Sequence, residues 1–319
     1  MARRAGARAA LALLALLGAC REPPRLVYDH ASIERGAVLL DGERVAGLVH
    51  DHARGLALWP VFGPAGIPVT RGFPLAEVAG EPKDHPHHVG LWFAHGAVNG
   101  IDFWAGAGRI EKVGVTQVSE QWVATAHRWV APDGSHVAAD MRWLRFDQGR
   151  TEAGARWRTI DSIIELHAAH GALHIGDTKE GSFALRLRPE LCLEGAAATG
   201  SLRNAAGDRD RAAWGKRARW IAWEGTAEGA VVTVAMFDHP GNHGHPTYWH
   251  ARGYGLSAAN PFGAHDFAGL PRGTGDHVVE AGGVLTFRHL VWMAEGARPD
   301  AAVEAAWQRW SGQADWRED

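Results

Sequence analysis

From residue 37 to residue 292 the chain is written in short apolar or alternating runs, most of them ended by Gly, Asp or Pro. A helix buries side chains at a period near 3.6 residues and a strand at a period of 2, so runs of this length and punctuation read as strands. Residues 37–49 hold Asp41-Gly42 between two such runs, the pair a two-residue hairpin turn with positive φ asks for. Residues 129–137 repeat the pattern around Asp133-Gly134, and 157–166, 231–237 and 284–292 read as strands. One mature helix is expected: Pro299-Asp300 opens it, 301–310 fill it, and Val303, Trp307 and Trp310 share a face that should dock on a sheet. The glycine-rich 195–207 stretch reads as loop. The expectation is an all-β fold, a large antiparallel β-sandwich with a short C-terminal helix, as a single domain over 25–319.

The first twenty residues stand apart. Arg3, Arg4 and Arg8 precede an apolar stretch over 9–17 that is too short to span a bilayer, as in a secretory signal. Leu17-Gly18-Ala19-Cys20 resembles a bacterial lipobox, which makes Cys20 the expected lipidation site and 21–24 a tether. The plainer alternative is a cleaved signal with an incidental cysteine. This reading places the protein outside the cytoplasm, on the cell envelope, touching membrane only through a lipid. Cys192 is then the one cysteine left, so a disulfide within the mature chain and a cysteine-based zinc site are both excluded. Between Leu191 and Leu193 it reads as buried and apolar. A net charge of −3 gives no reason to expect a nucleic-acid partner.

Histidines carry the functional signal. Asp84-His85-Pro86-His87-His88 runs into an apolar segment ending at His95, and a second group spans Asp238, His239, His243, His245, Tyr248 and His250, with His265 beyond. With His265 counted, nine of the 19 histidines belong to these groups. In extended chain His85, His87 and His95 share one face and His88 takes the other. That arrangement suggests one divalent metal ion held by His85, His87, His95, Asp84 and His239, against the alternative of a hydrogen-bonded histidine network. Proton-moving roles fall to His88, Glu180, Tyr248 and Lys179. Substrate contacts are assigned to Asp102, Trp92, Lys216, Arg217, His245, His250 and Asn260. For Lys216 and Arg217 the rival reading is a cation stacked on a tryptophan, and for the second cluster a rigid proline-clamped loop. Asn99-Gly100 reads as a structural turn. The 15 tryptophans serve either a core or a cleft that stacks on sugar rings. Nucleophile-elbow, P-loop, dinucleotide and His-Glu-x-x-His patterns are all absent.

Taken in order, Pro68-Val69-Thr70-Arg71, the first histidine segment, Val98-Asn99-Gly100-Ile101-Asp102-Phe103-Trp104, Lys179-Glu180-Gly181, Trp214-Gly215-Lys216-Arg217-Ala218, Phe237-Asp238-His239-Pro240, His245-Pro246-Thr247-Tyr248-Trp249-His250 and Ala259-Asn260-Pro261-Phe262-Gly263 resemble the bacterial family catalogued as "methane oxygenase PmoA", better described as a family of unknown function. The resemblance implies an exported protein and a setting among sugar-oxidising and sugar-cleaving enzymes. Size and strand pattern are also similar to the galactose-mutarotase-like supersandwiches, whose sugar sites use histidines and a carboxylate on a concave sheet face. The expected function is a carbohydrate-active enzyme (a lyase, hydrolase or isomerase) acting on a sugar or an oxidised keto glycoside. The alternatives are a non-catalytic glycan-binding lipoprotein and, from the family label, a copper oxidase.

Overall fold

A computed structural model describes residues 24–29, 35–50 and 52–317. The signal, the lipobox and Cys20 lie outside the described residues. Two eight-stranded antiparallel sheets dominate. In spatial order the first runs Leu26–Asp29, Arg35–Leu40, Glu43–Val49, Ala57–Val61, Leu91–His95, Gly181–Arg186, Leu256–Asn260 and Tyr248–Arg252. The second runs Ser201–Asn204, Trp220–Ala227, Ala230–Asp238, Val284–Glu295, Arg156–His167, His136–Arg150, Trp122–Val130 and Arg109–Val118. The all-β sandwich and its C-terminal helix are thus as the sequence predicts.

Local chemistry explains the elements. Asp41 and Gly42 both have positive φ, at 51° and 82°, and the hairpin turns there. Asp300–Ser311 forms the helix, with Val303 and Trp310 buried and Trp307 half-buried against the second sheet. Two elements differ from expectation. Ser201–Asn204 forms a strand inside the stretch read as loop, paired with Trp220–Ala227. Ala264–Ala268 forms a one-turn helix, too short to leave a periodic signature.

The sheets meet through side chains of alternating parity. Phe93 packs on Trp129 and Phe287, and Phe183 stacks on His289, so these positions face inward. The inner layer also buries a charge network. Asp140 accepts His127 Nδ1 at 2.8 Å, Trp129 Nε1 at 2.6 Å, and Arg142 Nε and Nη2 at 2.8 and 2.9 Å. Desolvation of such groups is tolerated only when every charge is met. Because Phe93 and Phe183 point inward, Trp92, Ala184 and Arg186 point to the outer face of the first sheet. That face carries the first histidine cluster.

Candidate functional site

The approach to strand Leu91–His95 is not extended. His85 sits at φ 44°, and His88 N–H donates to His85 C=O at 3.0 Å, closing a β-turn with Pro86 and His87 at its centre. Gly90, at φ 62°, turns the chain again under Leu58, where a Cβ would come within 2.3 Å of a carbonyl oxygen. The alternation expected for these histidines is lost. Instead three imidazoles gather: His85 stacks on His88 at 4.8 Å, and His87 meets His88 edge-on at 4.4 Å. His95, by contrast, lies on the inner side, its Nε2 on Gly176 O at 2.8 Å and its Nδ1 on Ser182 Oγ at 3.3 Å.

Asp84 organises the group. Arg71 Nη1 donates to its Oδ1 at 2.7 Å, Arg186 Nη2 reaches both oxygens at 3.2 and 3.3 Å, and His85 Nδ1 closes on Oδ2. Burial alone would raise this carboxyl; the His85 hydrogen bond and the charges of Arg186 and Arg71 outweigh it and hold it at about 2. Arg186 Nη1 donates to His88 Nδ1 at 3.2 Å, so that nitrogen carries a lone pair and the ring proton resides on Nε2. Burial, reinforced by His87 and Arg186, drives His88 far below the ordinary imidazole range. His87 is pulled down to about 4 by burial and by the charges of His85 and Arg54. It is half-buried and makes no side-chain hydrogen bond among the described residues.

Tyr254 roofs the group, stacked on His85 at 4.8 Å, with the Arg186 guanidinium 4.3 Å from its ring centre. Trp92 and Trp104 form the floor, their rings 5.0 Å apart, and both indole N–H groups are buried without a protein partner. Arg71, Arg186, Tyr254, Trp104 and Arg54 were not among the residues assigned roles from sequence. A signal did exist for Arg186: Ala184 and Arg186 put a charge on one face of a strand whose other face is Phe183 and Leu185.

The remaining assigned residues lie elsewhere. Glu180 pairs with Lys179 at 3.2 Å, and its charge is felt by Tyr254, which puts it at the margin of the site. Asp102 Oδ1 accepts the N–H groups of Trp104 and Ala105, each at 2.8 Å, and so shapes the loop over the floor. His250 and Asn260 tie down the same loop stretch, at Lys179 O (3.0 Å) and Thr178 O (2.8 Å). Lys216 is exposed. Arg217 clamps Gly244 O and Pro246 O at 2.7 and 2.8 Å and lies over Tyr248 at 4.9 Å, the cation-on-aromatic arrangement with tyrosine in place of tryptophan.

The second cluster forms its own unit. Asp238, 1% exposed, faces between the sheets and accepts His245 Nδ1 at 2.7 Å, Asn242 Nδ2 at 2.8 Å and Thr247 N at 3.0 Å. His239 Nδ1 accepts Gly241 N–H at 3.1 Å, and its ring meets Trp310. Among the described residues no hydrogen bond, ion pair or ring contact joins this group to His85, His87 or His88. The single pocket drawing on both clusters thus has no direct contact between them behind it. Nor do the five residues assigned to a metal fit one: Asp84 is taken by two guanidiniums, His95 has both nitrogens engaged on the inner side, and His239 belongs to the other cluster. Among the described residues no three His, Cys, Asp or Glu side chains are placed to hold a metal ion. Cys192 is buried, and burial pushes its thiol up to about 12.

A family model described as "Family of unknown function (DUF6807)" matches residues 35–308. The chain belongs to this family. No match is found among curated proteins. Among solved structures, a GalM/aldose epimerase homologue from C. elegans is similar at 8% identity and a TM-score of 0.30, covering 86% of this chain and all of the other. Overlap that low adds nothing to the architecture described above.

The depressed histidines predict acid sensitivity. His87, His95 and His250 are held at about 4 and His50 at about 2, in each case mainly by burial. Unfolded histidines titrate near 6.5, so below that pH the unfolded chain binds more protons than the folded one. Stability should be level above about pH 6.5 and decline steadily towards pH 4. Melting temperature followed across that range checks it; a flat profile down to pH 4.5 contradicts the burial of these rings.

Proposed function

We propose that the outer face of the first sheet is the active site of a carbohydrate-active enzyme, in which neutral imidazoles move protons on a sugar or an oxidised glycoside. The observation that supports this most directly is the pairing of two unlike histidines. His87 is unprotonated at neutral pH, is half-buried and makes no side-chain hydrogen bond among the described residues, which leaves a ring nitrogen free to accept a proton. His88 is locked by Arg186 with its proton on Nε2, which suits a neutral donor to a carbonyl or hydroxyl oxygen. Asp84 holds His85 and, through Arg186, His88, and Tyr254 stacks over His85 at the rim. Reaction classes that need only proton transfer fit this set: a lyase, an isomerase or a hydrolase. The reading extends to an exported protein anchored through lipidated Cys20.

The test is to incubate the purified mature protein with neutral and keto glycosides and follow products by NMR. Turnover that disappears in His87→Gln supports the enzyme. Saturable glycan binding with no product favours the non-catalytic alternative, and no binding of any sugar sinks the carbohydrate reading. Copper oxidation, the reading attached to the methane-oxygenase label, would require stoichiometric copper in the isolated protein and oxygen consumption.

A further inference from the structure

Arg54 lies on the loop between strands Glu43–Val49 and Ala57–Val61 and is bridged through its backbone to Ile110. It is 7% exposed, yet its side chain makes no hydrogen bond or ion pair among the described residues, and Nε and Nη1 are fully buried without a partner. Its neighbours differ. Arg71 is met by Asp84 and by the carbonyls of Phe73 and His85, and Arg186 by Asp84 and His88. Nη2 lies against Gly106, two residues beyond Trp104, whose ring meets His88, and the Arg54 charge is felt by His87, so the guanidinium borders this site. The Asp102 carboxylate favours the Arg54 charge but makes no hydrogen bond or ion pair with it. Gly106, at φ +125°, leaves it room: a Cβ there would come within 2.9 Å of Nη2. A guanidinium does not shed its proton to relieve burial, and an unpaired buried charge is costly. Desolvated cations without a directly paired counter-charge are characteristic of places where an anionic ligand supplies one.

We infer that Arg54 is an anion subsite beside His87 and that the ligand of this site is an acidic sugar, whose carboxylate Arg54 receives while the ring lies against the imidazoles. The sugar half of this inference rests on the function proposed above; the anion half does not. Isothermal titration of wild type and Arg54→Gln with methyl glucuronide and methyl glucoside, at low ionic strength, tests the first half. Melting temperature with and without acetate tests the second. A charge-assisted contact in a desolvated site changes affinity about ten- to a hundredfold. Wild type should prefer the glucuronide by that factor, Arg54→Gln should bind both sugars alike, and acetate should stabilise wild type alone. Without ligand, Arg54→Gln should melt no lower than wild type, because the substitution removes a buried charge that has no hydrogen-bonded partner. Equal affinities in wild type, a preference that survives in Arg54→Gln, or a marked loss of unliganded stability would each overturn the subsite. If neither sugar binds but acetate stabilises wild type through Arg54, the anion subsite stands and the carbohydrate reading fails. If acetate has no such effect either, both fail.

Discussion

Asp84→Asn should abolish turnover and lower stability by about 3 kcal/mol, at the lower end of the range for breaking a buried ion pair. Arg71 and Arg186 are each 1% exposed and both lean on this carboxylate. An amide presents one acceptor oxygen and no charge, so the two guanidiniums would repel each other in a poorly solvated space. About a third of the Asp84 side chain is solvent-accessible, and water entering there limits the loss. The functional effect follows from geometry: His85 loses the acceptor on Nδ1, and Arg186 loses the partner that aims it at His88. Urea unfolding and steady-state assays of the same preparation check the two halves. Unchanged stability would mean that the guanidiniums find other acceptors and that Asp84 is not the organiser.

His87→Gln should cost about a hundred- to ten-thousandfold in kcat/KM, the usual contribution of a positioned general base, with little change in melting temperature. The small stability effect is expected because His87 is half-buried and makes no side-chain hydrogen bond among the described residues. The pH dependence carries a sign. A base held at about 4 is unprotonated throughout the neutral range, so wild-type kcat/KM should be flat near neutrality and fall only as pH drops towards 4. That limb should vanish in whatever residual activity the glutamine variant keeps. A limb at the ordinary imidazole value would place the base on another residue.

How much of this was readable in the chain depended on whether the cause was local. The Asp41-Gly42 hairpin and the C-terminal helix are dictated by residues within a few positions, and both appear where predicted. The histidine cluster was visible as a cluster, but its internal geometry was not. A period-2 argument holds only in extended backbone, and His85 at φ 44°, with the turn at Pro86-His87, ends it. The pairing of His95 with the cluster failed for the same reason. The partners that define the site, Arg54, Arg71, Arg186 and Tyr254, come from four separated segments, and only the strand order brings them together. The second cluster left two readings open, a pocket and a rigid proline-clamped loop, because its residue types serve both; Asp238 accepts from Asn242, His245 and Thr247 and so pins its own loop.

The central claim is that ligand binds at His85, His87 and His88 and not at the second histidine group. Heteronuclear NMR of imidazole-labelled protein during titration with a sugar that binds tests this directly. The account predicts that the ring signals of His85, His87 and His88 shift together, at the same apparent affinity, while those of His239, His243 and His245 stay still. Shifts confined to the second group, with the first unmoved, would contradict it.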